Sequence, residues 1–187
     1  DGGDTLQDIS PPHRDEAMIN AIELSPHAEG TAYVAVTGYK LNDFKPYIYK
    51  TTDYGKRWRR IDAGIPGRQF VRVVREDPIR KGLLYAGTEN GMFISLDDGK
   101  SWQPFGLNLP AVPITDIRAR KDGLVVASQG RAFWILDDIF VVRQAGDDLG
   151  SKSLTVFKAP VTVQGRNSGN GGATAAANPS PDVPIYY

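Results

Sequence analysis

Short runs of β-branched and aromatic residues recur along the chain, separated by Pro and Gly. Residues 32–36 read Ala-Tyr-Val-Ala-Val, residues 70–74 read Phe-Val-Arg-Val-Val, and residues 83–86 read Leu-Leu-Tyr-Ala. Such runs are typical of short β-strands, and dipeptides such as Ser25-Pro26 mark the turns between them. Residues 15–22 are the best helix candidate, but they lead into that turn and are better interpreted as a strand. The pattern predicts an all-β protein.

A motif of the form Ser/Thr-x-Asp-x-Gly-x-x-Trp occurs twice. Its two copies consist of Thr51, Asp53, Gly55 and Trp58, and of Ser95, Asp97, Gly99 and Trp102. The two Asp are 97 − 53 = 44 positions apart, whereas the upstream Pro26 and Pro78, and likewise Tyr33 and Tyr85, are 52 positions apart. The first copy therefore holds eight extra residues, around 38–46. A weaker third copy has Asp137 in the Asp position, with Ile135 and Ile139 in the Ser/Thr and Gly positions.

Each residue type in this motif has a structural use at a hairpin between a third and a fourth strand. An Asp side chain accepts hydrogen bonds from backbone N–H groups of its own turn, and a Ser or Thr hydroxyl lies beside it. The Gly permits a positive φ. The Trp then begins the fourth strand and buries a large ring between neighbouring sheets. The motif predicts turn-forming residues and no catalytic residue.

Four strands in about 40–45 residues are typical of one blade of a β-propeller. The motif resembles the Asp-box, or BNR repeat, of sialidases, xyloglucanases and sortilin-like propellers. Residues 84–99 are most similar to the sortilin-like and xyloglucanase-like branch, and residues 127–138 resemble the last blade of large exported bacterial proteins. The resemblance implies a partial β-propeller of about three four-stranded blades with an irregular C-terminal tail.

The repeat also predicts how the chain is divided. An N-terminal extension covers residues 1–16, and propeller blades cover residues 17–146. A closing strand region follows at 147–164, and a Gly-, Ala- and Pro-rich linker or tail occupies 165–187. Since closed propellers have about four to eight blades, three blades form an arc whose end sheets expose apolar faces. We therefore expect a fragment or a subunit of a larger assembly.

Composition narrows the possible chemistry. The 187 residues contain 22 basic and 22 acidic side chains, no Cys and two His. These counts exclude disulfides, thiolate metal sites and metal sites with several histidines, so neither a metal nor a cofactor is expected. Residues 56–81 carry nine bases against three acids, but a net charge of zero argues against nucleic acid as a partner. No apolar run approaches the roughly 18 residues of a membrane-spanning helix.

Two groups of side chains are candidates for binding a partner. The insertion in the first repeat mixes aromatic and polar residues, which either stack on a sugar or a protein or fold back on the blade. The basic stretch and the C-terminal aromatic residues complete the set. The candidates are Tyr39, Phe44, Tyr47, Arg57, Arg59, Arg60, Tyr186 and Tyr187.

The sequence favours binding over catalysis. Acids are paired at Asp97-Asp98, Asp137-Asp138 and Asp147-Asp148, but adjacent residues of a strand point to opposite faces and cannot form the dyad of a glycosidase. We expect an extracytoplasmic module, in the periplasm, secreted or on the outer envelope, that binds protein or glycan. One alternative is the C-terminal part of a glycoside hydrolase, either xyloglucanase-like or sialidase-like. A further alternative is an accessory subunit bound peripherally to an envelope membrane complex.

Overall fold

The computed structural model describes residues 5–13, 16–146 and 154–158. Within them the chain forms three antiparallel sheets in chain order. The first sheet comprises β1 (Met18–Leu24), β2 (Ala32–Gly38), β3 (Asp43–Thr51) and β4 (Arg59–Arg60). The second comprises β5 (Val71–Glu76), β6 (Leu84–Thr88), β7 (Gly91–Ser95) and β8 (Gln103–Pro104). The third comprises β9 (Ile114–Ala119), β10 (Gly123–Ser128) and β11 (Phe133–Asp137).

The predicted all-β architecture is confirmed, including the strand expected near residues 15–22, which is β1. Each sheet is a meander in which sequential strands pair. The third sheet departs from the expected four strands, because within the described residues only three are present. The short β4 and β8 begin directly after Trp58 and Trp102, as the motif predicts.

The sheets pack face to face through their first strands. β5 contacts β1, β2 and β3, and β9 contacts β5 and β6. A core between the first and second sheets contains Tyr33, Ile48, Leu84 and Trp102, all buried. Burial of each large apolar side chain contributes about 1.5–3 kcal/mol. This core holds two of the sheets together and leaves the opposite face of the first sheet turned away from it.

The extra residues of the first repeat form the connection between β2 and β3. A 3₁₀ helix occupies Tyr39–Leu41, and Asn42 follows with a φ of 59°. The connection closes with Gly38 paired to Asp43 across a shift in register. The insertion also lengthens the third strand, because β3 has nine residues and β7 has five.

The chain divides into two compact units, residues 1–139 and residues 140–187. The first contains all eleven described strands. In the second, the helix α1 (Phe140–Gln144) is present, and residues 154–158 carry no strand. Most of the predicted closing region at 147–164 and all of the predicted tail lie outside the described residues, so both stay predictions. None of the described helices is long and apolar enough to cross a membrane.

Candidate interaction surface

The turn after β7 is closed by its own side chains. The Ser95 hydroxyl donates to Oδ1 of Asp97 at 2.8 Å and accepts from the Gly99 N–H at 2.8 Å. The Ser101 N–H and hydroxyl donate to the two oxygens of Asp97 at 2.9 and 2.6 Å. Burial acts to raise the pKa of Asp97, but the hydrogen bonds from Ser101 and Ser95 outweigh it and lower the pKa. Both oxygens of this carboxylate therefore accept hydrogen bonds from residues of the turn.

The turn after β3 repeats this geometry. The Thr51 hydroxyl donates to Asp53 at 2.9 Å and accepts from the Gly55 N–H at 3.0 Å. The side chain of Arg57 donates to Asp53 at 2.8 Å, and its N–H donates at 2.9 Å. These bonds, with the Arg57 side chain contributing most, lower the pKa of Asp53 to about 2. Gly55 and Gly99 have φ values of +83° and +80°, which only Gly adopts readily.

The third repeat keeps only part of this geometry. Asp138 has a φ of 56°, close to the 60° and 62° of the equivalent Tyr54 and Asp98, but Ile139 takes the place of the Gly and is fully buried. Asp137 is exposed at the end of β11. The degenerate turn therefore does not reproduce the hydroxyl–carboxylate–glycine network of the other two.

Sequence reasoning missed a polar bridge between the first two sheets. Tyr33 on β2 donates its hydroxyl to Asp98 at 3.0 Å, and Lys50 on β3 pairs with the same carboxylate. Burial, followed by the charges of Glu76 and Asp98, raises the pKa of Tyr33. The only signal in the sequence is the position of Asp98 after the motif Asp, which does not reveal its partners. The bridge shows that both acids of the Asp97-Asp98 pair already have fixed partners.

The aromatic side chains of the insertion fold back on the protein. The Tyr39 ring stacks on Phe70 with centroids 5.0 Å apart, and Phe44 meets the same ring at 6.4 Å. Phe44 keeps 37% of its surface exposed. The Tyr47 hydroxyl donates to Asp43 at 2.7 Å, and burial first, then this bond, raises the pKa of Tyr47 to about 12. Of the two interpretations, the contacts favour folding back.

Four of the nine bases in the basic stretch, Arg57, Arg60, Arg72 and Arg75, form ion pairs within the chain. Arg60 donates to Asp62 at 2.6 Å and lies over the ring of Tyr47. Arg57 is held by Asp53, as described above. Arg59 is exposed on β4. The candidates Arg57, Arg59 and Arg60 thus do not form one anion-binding cluster, while Tyr186 and Tyr187 lie outside the described residues.

Further ion pairs connect the first strands of the three sheets. Arg75 on β5 contacts Glu23 on β1 at 3.4 Å and Asp116 on β9 at 2.7 Å. Burial raises the pKa of Glu23 even though Arg75 opposes the shift. Arg75 therefore links the first strands of all three sheets and has a structural role within the chain.

A large apolar groove lies on the face of the first sheet that is turned away from the core. Its volume is about 790 Å³. Ile19, Ile22 and Leu24 on β1 line it and keep 40%, 61% and 74% of their surfaces exposed. Val34 and Trp58 line its other side. We call this surface, with the nearby Ala32 and Tyr49, the open face. Neighbouring apolar side chains that stay exposed along a concave sheet face indicate an interaction site.

The N-terminal segment covers one edge of the open face. The indole N–H of Trp58 donates to the Ile9 carbonyl at 2.8 Å, and the Tyr49 hydroxyl donates to the Pro12 carbonyl at 2.8 Å. The side chain of Ile9 lies against Gly55. The segment packs beside Trp58, whereas the side chains of β1 remain accessible.

No group of described residues has the composition and geometry to hold a metal ion. His27, in the β1–β2 loop, has its Nε2 atom 2.7 Å from the Asp77 carbonyl. This contact connects the β1–β2 loop to the β5–β6 loop.

No protein family and no curated protein matches this sequence. Several solved structures are similar to the chain. The chain is similar to the GH74 enzyme of Niastella koreensis, with 18% identity and a TM-score of 0.51, over 64% of this chain and 21% of that one. It is also similar to an ancestral GH74 enzyme, with 20% identity and a TM-score of 0.49, over 60% and 14% of the two chains. A third similar structure is YCF48 bound to a D1 peptide, with 19% identity and a TM-score of 0.48, over 74% of this chain and 43% of that one.

At these identities the likeness concerns the fold. The chain spans less than half the length of each of these proteins. Together with the three meander sheets, the likeness to the N. koreensis enzyme identifies the chain as part of a β-propeller. The expected fold class is confirmed at this level. The narrower resemblance to Asp-box and sortilin-like proteins stays a prediction.

Proposed function

We propose that this chain is a protein-interaction module built on a partial β-propeller and that it acts as part of a larger assembly. The observation that carries the proposal is the open face, where Ile22 and Leu24 present apolar side chains beside a groove of about 790 Å³. Desolvating such a surface against a protein is favourable by about 25 cal/mol per Å² of apolar area. A sugar, with hydroxyl groups around its ring, gains less than a protein from the aliphatic side chains that β1 presents.

The other candidate sites support the same choice. Tyr39 and Phe44 of the insertion pack on Phe70. Four bases of the basic stretch, Arg57, Arg60, Arg72 and Arg75, form ion pairs within the chain. The acids of the two complete turns are bound to their own turn or to a neighbouring sheet. A glycan-binding or catalytic role for this chain would therefore need groups other than these. We also propose an extracytoplasmic location, which is supported by the resemblance to exported propeller proteins.

Site-specific photo-crosslinking tests this proposal. A photo-crosslinking amino acid replaces Ile22 in the cells that make the protein, and a control replaces Ile79, which is 55% exposed on the β5–β6 hairpin. We expect a discrete protein adduct from position 22 and none from position 79. A membrane-complex subunit in that adduct would favour the peripheral-subunit alternative.

A parallel assay addresses the glycoside hydrolase alternative. The purified chain is incubated with xyloglucan and with sialylated oligosaccharides, and released sugar is measured. We expect no turnover. Turnover without any protein adduct at position 22 would contradict the proposed function.

A further inference from the structure

We propose that the open face of the first sheet is a docking surface for a fourth β-sheet, built on the same repeat as the first two and seated as the first sheet is seated on the second. This inference rests on the proposed function and names the kind of partner. Three independent features of the repeat support it.

The first feature is the pattern of contact residues. The second sheet packs against the first through Val71, Val74, Leu84, Ala86, Phe93 and Trp102. Subtracting the repeat offsets of 52 or 44 gives Ile19, Ile22, Ala32, Val34, Tyr49 and Trp58. Strand pairing supports this equivalence, because Val74 pairs with Ala86 and Ile22 pairs with Val34. The derived residues make up the open face. The first sheet therefore carries the same docking face that the second sheet uses.

The second feature is the connector that precedes each sheet. Ile61, after β4, accepts the indole N–H of Trp102 and lies against Gly99. Ile9 makes the same two contacts with Trp58 and Gly55. The positions of the two isoleucines differ by 61 − 9 = 52, the offset of the repeat. Residues 5–13 thus occupy on the first sheet the position that residues 57–65, the connector between two docked sheets, occupy on the second.

The third feature is charge at the corner of the face. At the interface between the first two sheets, Lys50 pairs with Asp98. The equivalent of Asp98 on the open face is Tyr54, whose hydroxyl donates to Glu29 at 2.7 Å. A carboxylate again lies at this corner. The docking sheet is therefore expected to present a cation there, in the position that Lys50 occupies on the first sheet.

Duplicating one repeat tests the proposal in the full chain. The variant contains residues 1–65 followed by residues 14–187, so that a second copy of the first sheet precedes the original, and the added residues 57–65 replace 5–13 as its connector. We expect native hydrogen exchange of the original β1 amides to slow by about tenfold or more, because their face becomes buried.

A matched pair of substitutions reports on the docking contact. Ile22→Lys in the original sheet is expected to lower the melting midpoint of the duplicated chain by about 5 °C or more, because it buries a charge. The same substitution in the natural chain should change it by less than about 2 °C, since the position is exposed. The control Ile79→Lys should have the same small effect in both chains.

Other outcomes overturn the proposal. They are an added sheet that is cleaved by protease while β5–β8 stay protected, or equal effects of Ile22→Lys in the two chains. A natural chain that sediments as a dimer, and as a monomer with Ile22→Lys, would assign the face to a second copy instead. If these results occur while position 22 still crosslinks to a protein, the interaction function stands and the β-sheet partner is wrong.

Discussion

The two complete repeats carry the same motif tryptophan in different surroundings. Trp102 is 5% exposed and belongs to the core between the first two sheets. Trp58 is only partly buried on the open face. Each indole donates to the carbonyl of an Ile. The hydrogen bond of the indole is therefore the same in both repeats. The burial of the ring differs because Trp102 packs against the first sheet, whereas no described sheet packs on Trp58.

The contrast extends to the isoleucines that receive these indoles. Ile61 is buried in the core, whereas Ile9 is 46% exposed in the N-terminal segment. The motif can therefore form its complete turn while its Trp ring is only partly buried. This teaches that the motif specifies the turn, and the neighbouring sheet supplies most of the packing energy.

We expect the largest difference in stability between substitutions of the two tryptophans. Trp102→Ala should destabilise the protein by about 3–5 kcal/mol, because it opens a cavity in a close-packed core. Trp58→Ala should cost less, about 1–2 kcal/mol, because the residue is only partly buried and no neighbouring sheet of the described residues covers it. Urea unfolding followed by circular dichroism measures both values. Equal losses would show that the open face is as well packed as the core.

The turn glycines sharpen the comparison. Gly99→Ala should cost about 1–3 kcal/mol, because the residue has positive φ and a Cβ would lie 2.6 Å from the Ile61 side chain in the core. Gly55→Ala places a Cβ 2.8 Å from the Ile9 side chain, which can move with the exposed segment. Its cost should stay near the 1–2 kcal/mol of the backbone strain alone. The same urea titration distinguishes them, and a larger loss for Gly55→Ala would refute this account.

The turn hydroxyls should behave alike. Ser95→Ala and Thr51→Ala each remove a hydrogen bond to the motif Asp and leave a buried glycine N–H without its acceptor. We expect a loss of about 1–2 kcal/mol in both cases. Because these bonds form within one turn, the presence of a neighbouring sheet should not matter. A difference of more than about 1 kcal/mol would indicate coupling to that sheet.

The smallest effect concerns pH. The pKa of Asp53 is lowered from 3.8 to about 2 in the folded protein. The contribution of this group is therefore fully present above the ordinary value and is lost as the pH falls through about 2. Asp53→Asn should lower the melting midpoint at pH 6, and the gap to the natural chain should narrow during acidification. A gap that stays constant down to pH 2 would exclude this linkage.

The sequence predicted the strands and turns well because the determinants are local. Period and residue type identified the meander sheets, and the spacing of Asp, Gly and Trp indicated where the third and fourth strands meet. The surroundings of the candidate partner-binding residues could not be predicted from the sequence, because their contacts are with residues far along the chain or on another strand. Tyr39 has no sequence signal for its stacking on Phe70, 31 positions away, and the pairing of Arg60 with the Tyr47 ring depends on register between β3 and β4.

By itself, then, the sequence determined the repeat, its turns and the all-β class, because hydrogen bonds within a few residues and alternating side chains follow directly from residue order. Only the tertiary structure decided which copy of each repeated side chain is buried. The equivalents Val74 and Ile22 differ in this way, the first fully buried and the second 61% exposed. Burial depends on which sheet packs on which face, and that arrangement joins residues far apart in the chain.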